Sequence, residues 1–151
     1  CLSAQKYNLD LFEVYIQPIP WGKSGWLWED NELRQWIDER ILVTQQGLTA
    51  QTLQPDISLQ ITIPNEFEKM CPINIGYTAG VETTKVSPQW LQKGNEMDKI
   101  LVVSNHAKES YLNTSISLSN DEEYRLETPV DVVWECTAED PIGYSQFHPT
   151  T

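Results

Sequence analysis

The chain has no long hydrophobic run, few basic residues and few cysteines, and each shortage excludes a class of protein. Its longest apolar stretches are short, as at Ile100–Val103, whereas a membrane-spanning helix needs roughly 20 apolar residues, so we expect no transmembrane segment. The chain has 10 Lys and Arg residues against 22 Asp and Glu residues, which gives a net charge of −12. Such an acidic surface repels phosphate groups, which argues against nucleic acid and anionic membranes as partners.

The few cysteines indicate the cellular compartment. Cys1, Cys71 and Cys136 lie far apart and form no CxxC pair, a pattern typical of free thiols in a reducing compartment. The first residues show neither the basic region nor the long apolar core of a secretory signal peptide. These features predict a cytoplasmic protein, and the lack of an initial Met leads us to expect a processed or truncated piece of a longer chain.

Metal and nucleotide motifs are also missing. His106 and His148 are not spaced like the ligands of a zinc site. The glycines form neither the G-x-G-x-x-G of a dinucleotide-binding loop nor a phosphate loop of the Walker type. We therefore predict no bound metal and no cofactor.

Hydrophobic periodicity and capping residues predict an alternation of strands and helices. Short apolar or alternating runs bounded by Pro, Gly and polar residues are typical of strands. Periodic segments that follow Ser, Asp or Asn are typical of helices, and the Ser87 hydroxyl is expected to cap the helix that Pro88 begins. The predicted strands are residues 11–19, 57–63, 73–77, 99–103 and 130–134; the predicted helices follow a cap at Asp30 or Asn31 and span residues 88–98 and 105–113; residues 115–127 are predicted to be a polar loop.

The strand at residues 57–63 has the most regular pattern. Ile57, Leu59, Ile61 and Ile63 alternate with polar residues. The alternation predicts a buried aliphatic face and a polar face, so we expect this strand near a sheet edge or beside a cleft.

The order of elements predicts the fold class. From residue 73 onward the order is β-α-β-α-β, which favours parallel pairing because each parallel connection needs a crossover segment. A chain of 151 residues is long enough to bury a core without disulfides. We expect a single α/β domain over residues 1–151, with an open, mostly parallel sheet and helices on both faces, as in Rossmann-like folds.

Two loops are candidates for a functional site because ligands of open parallel sheets bind beyond the carboxyl ends of the strands. The first loop, residues 78–87, contains Glu82, which is suited to orient or deprotonate a hydroxyl, and Lys85, which is suited to an anion. It also contains Thr83 and Thr84, whose hydroxyls can bind a ligand or, in a plain polar turn, the backbone.

The second loop is Ser104-Asn105-His106, at the expected start of a helix. Backbone N–H groups at a helix start favour anions, although plain capping, by Ser104 or Asn105, is the simpler interpretation. His106 has no acidic partner nearby in the sequence, so a Ser/His/Asp arrangement is not indicated.

Two further loops are less specific. The Trp21, Trp26 and Trp28 cluster offers flat aromatic faces for sugar rings, or it anchors its own loop over the core. Residues 64–68 follow the alternating strand and form a fourth loop of the same kind.

Two stretches resemble a known enzyme family. Residues 74–90 read NIGYTAGVETTKVSPQW and residues 97–108 read MDKILVVSNHAK. They resemble the N-terminal half of GT-B glycosyltransferases of the retaining, group 1 type (the family-4 branch). In that family a strand ends in Glu-Thr, a helix with an early Trp follows, and D-x-[ILV]-x-V-x-S-x-x-x-K opens the next helix. The matching residues are Glu82, Thr83, Trp90, Asp98, Val102, Ser104 and Lys108, and residues 55–68 resemble the family's P-D-[IV]-x-[IL]-x-x-x-x-P segment.

The resemblance implies transfer of a sugar from a nucleotide-sugar donor to a hydroxyl of a sugar or lipid-linked acceptor, without an essential metal. It implies only the acceptor-side half of such an enzyme, because the opening strand with its glycine-rich loop and the second, donor-binding domain are missing from this sequence. It assigns no catalytic base. The substrate-binding residues that it implies are Thr78, Gly80, Glu82, Thr83, Thr84, Ser104, Asn105 and His106.

Two other functions stay open at this point. A non-catalytic carbohydrate-binding or scaffold domain would keep the fold without the reaction. An unrelated α/β protein, such as a flavodoxin-like regulator, would want clustered acidic residues at strand ends, and the sequence shows no such trio.

Overall fold

The computed structural model describes residues 12–20, 30–79, 83–117 and 122–134. The chain divides into two compact units, residues 1–54 and 55–151, and a single domain over the whole chain stays a prediction. None of the helices in the described ranges is long and apolar enough to cross a membrane.

Among its described residues, the first unit contains one long helix, α1 (Glu32–Thr49). Asn31 is its N-cap, as one of the two predicted alternatives, and its side-chain oxygen accepts a hydrogen bond from the N–H of Arg34 at 3.0 Å. This bond satisfies one of the backbone donors that every helix start leaves without an intrahelical partner.

The segment before this helix is not the strand that the sequence predicts. Residues 12–20 join no sheet among the described residues, so the predicted strand 11–19 is wrong over that part. The N–H of Ile16 donates instead to the buried hydroxyl of Thr44 at 2.9 Å. Pro18 and Pro20 have no N–H group to offer a neighbouring strand.

The second unit has an α/β fold built on an open parallel sheet. In chain order it contains β1 (Ile57–Ile61), a 3-10 helix (Pro64–Glu66), β2 (Ile73–Thr78), α2 (Pro88–Gly94), β3 (Lys99–Val102), α3 (Asn105–Leu112), β4 (Ser115–Ser117), β5 (Glu123–Arg125) and β6 (Val130–Val132). The sheet has the strand order β1-β2-β3-β6, and its three neighbouring pairs are all parallel. The predicted fold class, α/β with an open and mostly parallel sheet, is confirmed.

Two predicted segments differ in the structure. Residues 115–127 are not a plain loop, because β4 and β5 pair there as an antiparallel hairpin. The helix predicted over residues 88–98 ends at Gly94. The residues beyond it bind other elements: Asn95 Oδ1 accepts the N–H of Glu127 at 2.8 Å, and Asp98 Oδ2 accepts the N–H of Asn74 at 2.8 Å. Within the described ranges, the Ser87 hydroxyl makes no capping bond, contrary to expectation.

The hydrophobic core lies on one face of the sheet, which we call the covered face. Ile100 and Val130 of this face belong to the same buried cluster as Leu91 of α2 and Tyr111 of α3. Both helices of the second unit therefore pack on the covered face. Helices on both faces, as a Rossmann-like fold has them, stay a prediction.

Strand β1 presents its polar residues, not its aliphatic ones, to the covered face. Leu59 is 56% exposed, so the expectation of a buried aliphatic side is wrong. Ser58 Oγ donates to Asn74 Oδ1 at 2.9 Å. Gln60 donates to the carbonyl of Glu68 at 2.6 Å and accepts the N–H of Glu68 at 2.9 Å. The loop after β1 covers this face, and its backbone groups need polar partners there.

Asn74, at the start of β2, is fully buried and links several segments of the sheet. Its Oδ1 accepts hydrogen bonds from Ser58 Oγ and from the N–H groups of Met70 and Cys71, each at 2.9 Å. Its Nδ2 donates to the carbonyl of Cys71 at 2.6 Å, and its backbone N–H donates to Asp98 Oδ2. One residue thus links β1, the preceding loop, β2 and the residue before β3.

Gly76 of β2 leaves space for the fully buried ring of Phe67, since a Cβ at position 76 would lie 2.4 Å from that ring. We expect Gly76→Ala to lower the free energy of unfolding by about 1–3 kcal/mol, because overpacking forces the core apart. Urea unfolding measures this. In a variant that combines Gly76→Ala with Phe67→Leu, which removes ring atoms from the contact, the total loss of stability should be smaller than the sum of the two single losses. A total loss equal to that sum, or a Gly76→Ala variant as stable as the wild type, would contradict this packing.

Tyr111 of α3 is buried against Trp90 of α2, with ring centroids 6.3 Å apart and ring planes at 27°. No described residue offers a hydrogen bond to the Tyr111 hydroxyl. Burial raises the pKa of this hydroxyl well above its ordinary value of 10.0, because the phenolate loses its hydration in the core.

We expect Tyr111→Phe to be as stable as the wild type at neutral pH, or more stable, because it removes an unpaired buried hydroxyl. Because the folded pKa is raised, the folded state holds this proton longer than the unfolded state. The contribution of the protonated Tyr111 hydroxyl to the free energy of unfolding is present below pH 10.0 and is lost as the pH rises further. Urea unfolding at neutral and alkaline pH should show that this alkaline loss is smaller in Tyr111→Phe. A clear destabilisation at neutral pH would contradict an unpaired hydroxyl.

Candidate functional site

The carboxyl ends of the four parallel strands meet at one edge of the sheet. β2 ends there at Thr78 and β3 ends there at Val102. The two candidate loops leave this edge, one toward α2 and the other toward α3. The sheet topology thus directs both loops to the same side, as the sequence predicts.

Ser104 is the N-cap of α3. Its Oγ accepts the N–H of Ala107 at 3.1 Å, and its carbonyl accepts the N–H of Lys108 at 3.1 Å. The capping interpretation of Ser104 is therefore confirmed. Asn105 and His106 form the start of the helix and are exposed.

The loop after β2 has a polar turn at its described end. The hydroxyl of Thr83 donates to the carbonyl of Lys85 at 2.7 Å, so its hydrogen is used inside the loop. Thr84 and Lys85 are exposed, while Val86 is buried beneath them. Besides Thr83, the exposed side chains with a hydroxyl or ammonium group in the described part of this loop are those of Thr84, Lys85 and Ser87.

Ser110 of α3 brings the two candidate segments together. Its Oγ lies 2.8 Å from the carbonyl oxygen of Thr83 and 2.9 Å from the carbonyl oxygen of His106. Just beyond the end of α3, Thr114 Oγ1 accepts the N–H of Val86 at 2.9 Å. The loop is thus held against the helix whose first turn carries Asn105 and His106.

One of the predicted site residues, Thr78, is not displayed at this surface. It is only 4% exposed, and its hydroxyl donates to the carbonyl of Ala79 at 3.3 Å. Gly80 and Glu82 lie outside the described residues, so their predicted roles stay predictions. The same holds for the tryptophan cluster at positions 21, 26 and 28.

Ser110 and Thr114 are the residues that sequence reasoning missed. Ser110 lies on the buried side of the helix with Ala107 and Tyr111, and Thr114 is a buried residue just beyond the helix end. A small hydroxyl residue within an apolar helical stripe indicates a hydrogen-bond partner on the neighbouring element. That signal was present, but it does not name the partner.

The described part of the site offers mostly neutral hydrogen-bonding groups. Its exposed groups include the hydroxyls of Thr84 and Ser87, the Asn105 amide, the His106 imidazole and the Lys85 ammonium. In the part of the chain that the structure describes, no three His, Cys, Asp or Glu residues are grouped to hold a metal ion. The arrangement suits a ligand that is rich in hydroxyl groups, because each of these side chains can donate or accept a hydrogen bond or carries N–H donors.

Elsewhere on the sheet, an ion pair between β3 and β6 lowers the pKa of a carboxyl group. The ammonium of Lys99 hydrogen-bonds the Asp131 carboxylate at 2.5 Å and holds the pKa of that carboxyl below its ordinary value. Both groups are well exposed, so we attribute little stability to the pair.

We expect Ser104→Ala to lower the free energy of unfolding by about 1 kcal/mol, because the N–H of Ala107 loses its cap. Ser104→Asp should retain most of the stability, since a carboxylate caps as well and favours the positive end of the helix dipole. Urea unfolding of both variants provides the comparison. Equal losses in the two variants would show that Ser104 acts by something other than capping.

Comparison of this chain with protein-family models, with curated protein sequences and with solved structures finds no match. The functional assignment therefore depends on the geometry of the site and on the sequence motifs.

Proposed function

We propose that the second unit binds a sugar at the carboxyl edge of its parallel sheet, as the acceptor side of a glycosyltransferase-like enzyme. The acceptor hydroxyl would lie between the loop after β2 and the first turn of α3. Thr84, Asn105 and His106 would form hydrogen bonds to the sugar hydroxyls. The nucleotide-sugar donor would be held by a second domain or chain.

The observation that carries this proposal is the contact of Ser110, a residue of α3, with the loop after β2. Its hydroxyl lies 2.8 Å from the carbonyl oxygen of Thr83, whereas the carbonyl oxygen of His106, at 2.9 Å, belongs to the same helix. The loop and the start of the helix, each with exposed polar side chains, are thereby kept adjacent. Ligands of open parallel sheets bind at this kind of position.

The family resemblance supports the proposal mainly through the fold. Of the matching residues, Trp90 stacks on Tyr111 in the core, Asp98 binds the backbone of Asn74, and Ser104 caps a helix. These are structural tasks that a carbohydrate-binding relative without the reaction would also need. Transfer activity would depend on Glu82 and on the donor-binding partner.

The proposal is tested by titrating the isotope-labelled chain with methyl glycosides of glucose, mannose, galactose and N-acetylglucosamine, observed by NMR. We expect millimolar binding of at least one glycoside, about −4 kcal/mol. The shifted amide resonances should be those of Thr84, Asn105 and His106. Thr84→Val, which removes one exposed hydroxyl, should weaken binding by about twofold to tenfold, the value of one hydrogen bond.

Ser117→Ala is the matched control, because Ser117 is an exposed hydroxyl residue on β4, outside the proposed site. It should leave the binding unchanged. Shifts confined to other parts of the chain, or no shift with any glycoside, would contradict the proposal. Calorimetry with UDP- and GDP-sugars should show no micromolar binding, since the donor site is proposed to lie elsewhere and the chain carries a net charge of −12.

The non-catalytic carbohydrate-binding domain predicts the same glycoside binding. The two functions separate in a transfer assay with radiolabelled nucleotide sugars in the presence of a donor-binding partner chain. Turnover that Glu82→Gln abolishes favours the enzyme, and unchanged binding without turnover favours the non-catalytic domain.

A further inference from the structure

Two buried hydroxyl residues lie near the end of α3: Ser110 within the helix, and Thr114 just beyond its last residue, Leu112. They are 1% and 4% exposed. They are four residues apart, and the Thr114 hydroxyl hydrogen-bonds the carbonyl of Ser110. Both bind the loop after β2: Ser110 at Thr83, and Thr114 at Val86. The loop is attached to the helix at both ends of its described part.

The two attachments differ in how their hydrogens are used. Thr114 Oγ1 donates to the carbonyl of Ser110 at 2.6 Å and accepts the N–H of Val86 at 2.9 Å, so both of its roles are filled. Ser110 Oγ has carbonyl oxygens at 2.8 Å and 2.9 Å, those of Thr83 and His106, and a single hydrogen to offer them. The bond to the helix carbonyl is the ordinary alternative for a serine within a helix.

The loop groups at the two attachments also differ in burial. Val86 is 5% exposed, so its N–H would have no water in place of Thr114. Thr83 is exposed, so its carbonyl can bind water when Ser110 turns to His106. Loss of the Thr114 attachment leaves the buried N–H of Val86 without a hydrogen-bond partner, whereas loss of the Ser110 attachment changes mainly the position of the loop.

We infer that Thr114 and Ser110 are positioning residues of the proposed sugar site, with separate tasks. Thr114 anchors Val86 and thereby stabilises the fold. Ser110 sets the distance between the loop at Thr83–Lys85 and the first turn of α3, and thereby the spacing of the groups that would bind the sugar. The sugar ligand of this inference rests on the proposed function, whereas the positioning of the loop against the helix rests on the geometry alone.

Hydrogen exchange, urea unfolding and NMR of the whole chain test the anchor. Thr114→Val should lower the folding equilibrium constant by roughly tenfold or more, the usual effect of leaving one buried donor without an acceptor. It should also speed exchange of the Val86 amide beyond the global change, while Thr114→Ser should keep wild-type exchange. Thr128→Val is the matched control. Thr128 is a buried threonine whose hydroxyl lies 2.9 Å and 3.1 Å from the carbonyl oxygens of Gly94 and Met97, so its loss should leave Val86 exchange unchanged relative to global unfolding.

The second task is tested with Ser110→Ala. We expect an unfolding midpoint near that of the wild type, displaced amide resonances at Thr84 and Lys85, and methyl glycoside binding weakened by about twofold to tenfold. Ser110→Cys, which keeps a weaker donor of similar size, should lie between the alanine variant and the wild type.

The outcomes separate this inference from the proposed function. If no glycoside binds the wild type, the proposed function is wrong, and the exchange of Val86 and the resonances of Thr84 and Lys85 still decide the positioning roles. Unchanged loop resonances in Ser110→Ala, or unchanged Val86 exchange in Thr114→Val, overturn the inference. A Ser110→Ala variant that loses stability and glycoside affinity in equal proportion, with no local displacement of the loop, also overturns it.

Discussion

The hydrogen bonds of Asn74 are the constraint on which the sheet of the second unit depends. This side chain is fully buried, and a buried amide is tolerated only when its donors and acceptors are paired. Its partners belong to β1, to the loop before β2 and to the residue before β3. Slipping any of these segments by one residue would leave buried polar groups unpaired, so the side chain specifies the register of the sheet as well as stabilising it.

The same need for polar partners explains the orientation of β1. Its alternating pattern distinguishes two faces, and hydrophobicity alone predicts that the aliphatic face is buried. In the structure, Ser58 and Gln60 face the covered side because they satisfy Asn74 and the backbone of Glu68. The periodicity correctly predicts two distinct faces, but the prediction that the aliphatic face is buried is wrong. Only the location of the covering loop decides that choice.

Helix α3 links the fold to the proposed site. Its first turn supplies Asn105 and His106 at the edge of the sheet. The hydroxyls of Ser110 within the helix and of Thr114 just beyond its end hold the neighbouring loop. The helix also packs Tyr111 against Trp90 in the core. A rigid, packed element that carries site residues at one end keeps them in a defined geometry, which favours binding over a loop that must be ordered by the ligand.

The candidate site was predictable in its location but not in its construction. The alternation of strands and helices from residue 73 onward is enough to predict parallel pairing and a ligand site at the carboxyl edge. It does not reveal which hydroxyls face outward. Thr78 is buried and Thr83 binds its own loop, whereas the contacts of Ser110 and Thr114 join residues 27 and 28 positions apart. Such pairs leave no local pattern in a single sequence.

The sequence by itself determined the local elements with strong signals, because those depend on near neighbours. The cap at Asn31, the helix start at Ser104 and the aliphatic strand at Ile100–Val102 are examples, since each needs only a few adjacent residues. The tertiary structure alone decided which face of β1 is covered, where α2 ends and which hydroxyls hold the site loop. These outcomes depend on pairing buried polar groups across long stretches of chain, and that pairing exists only once the segments are packed together.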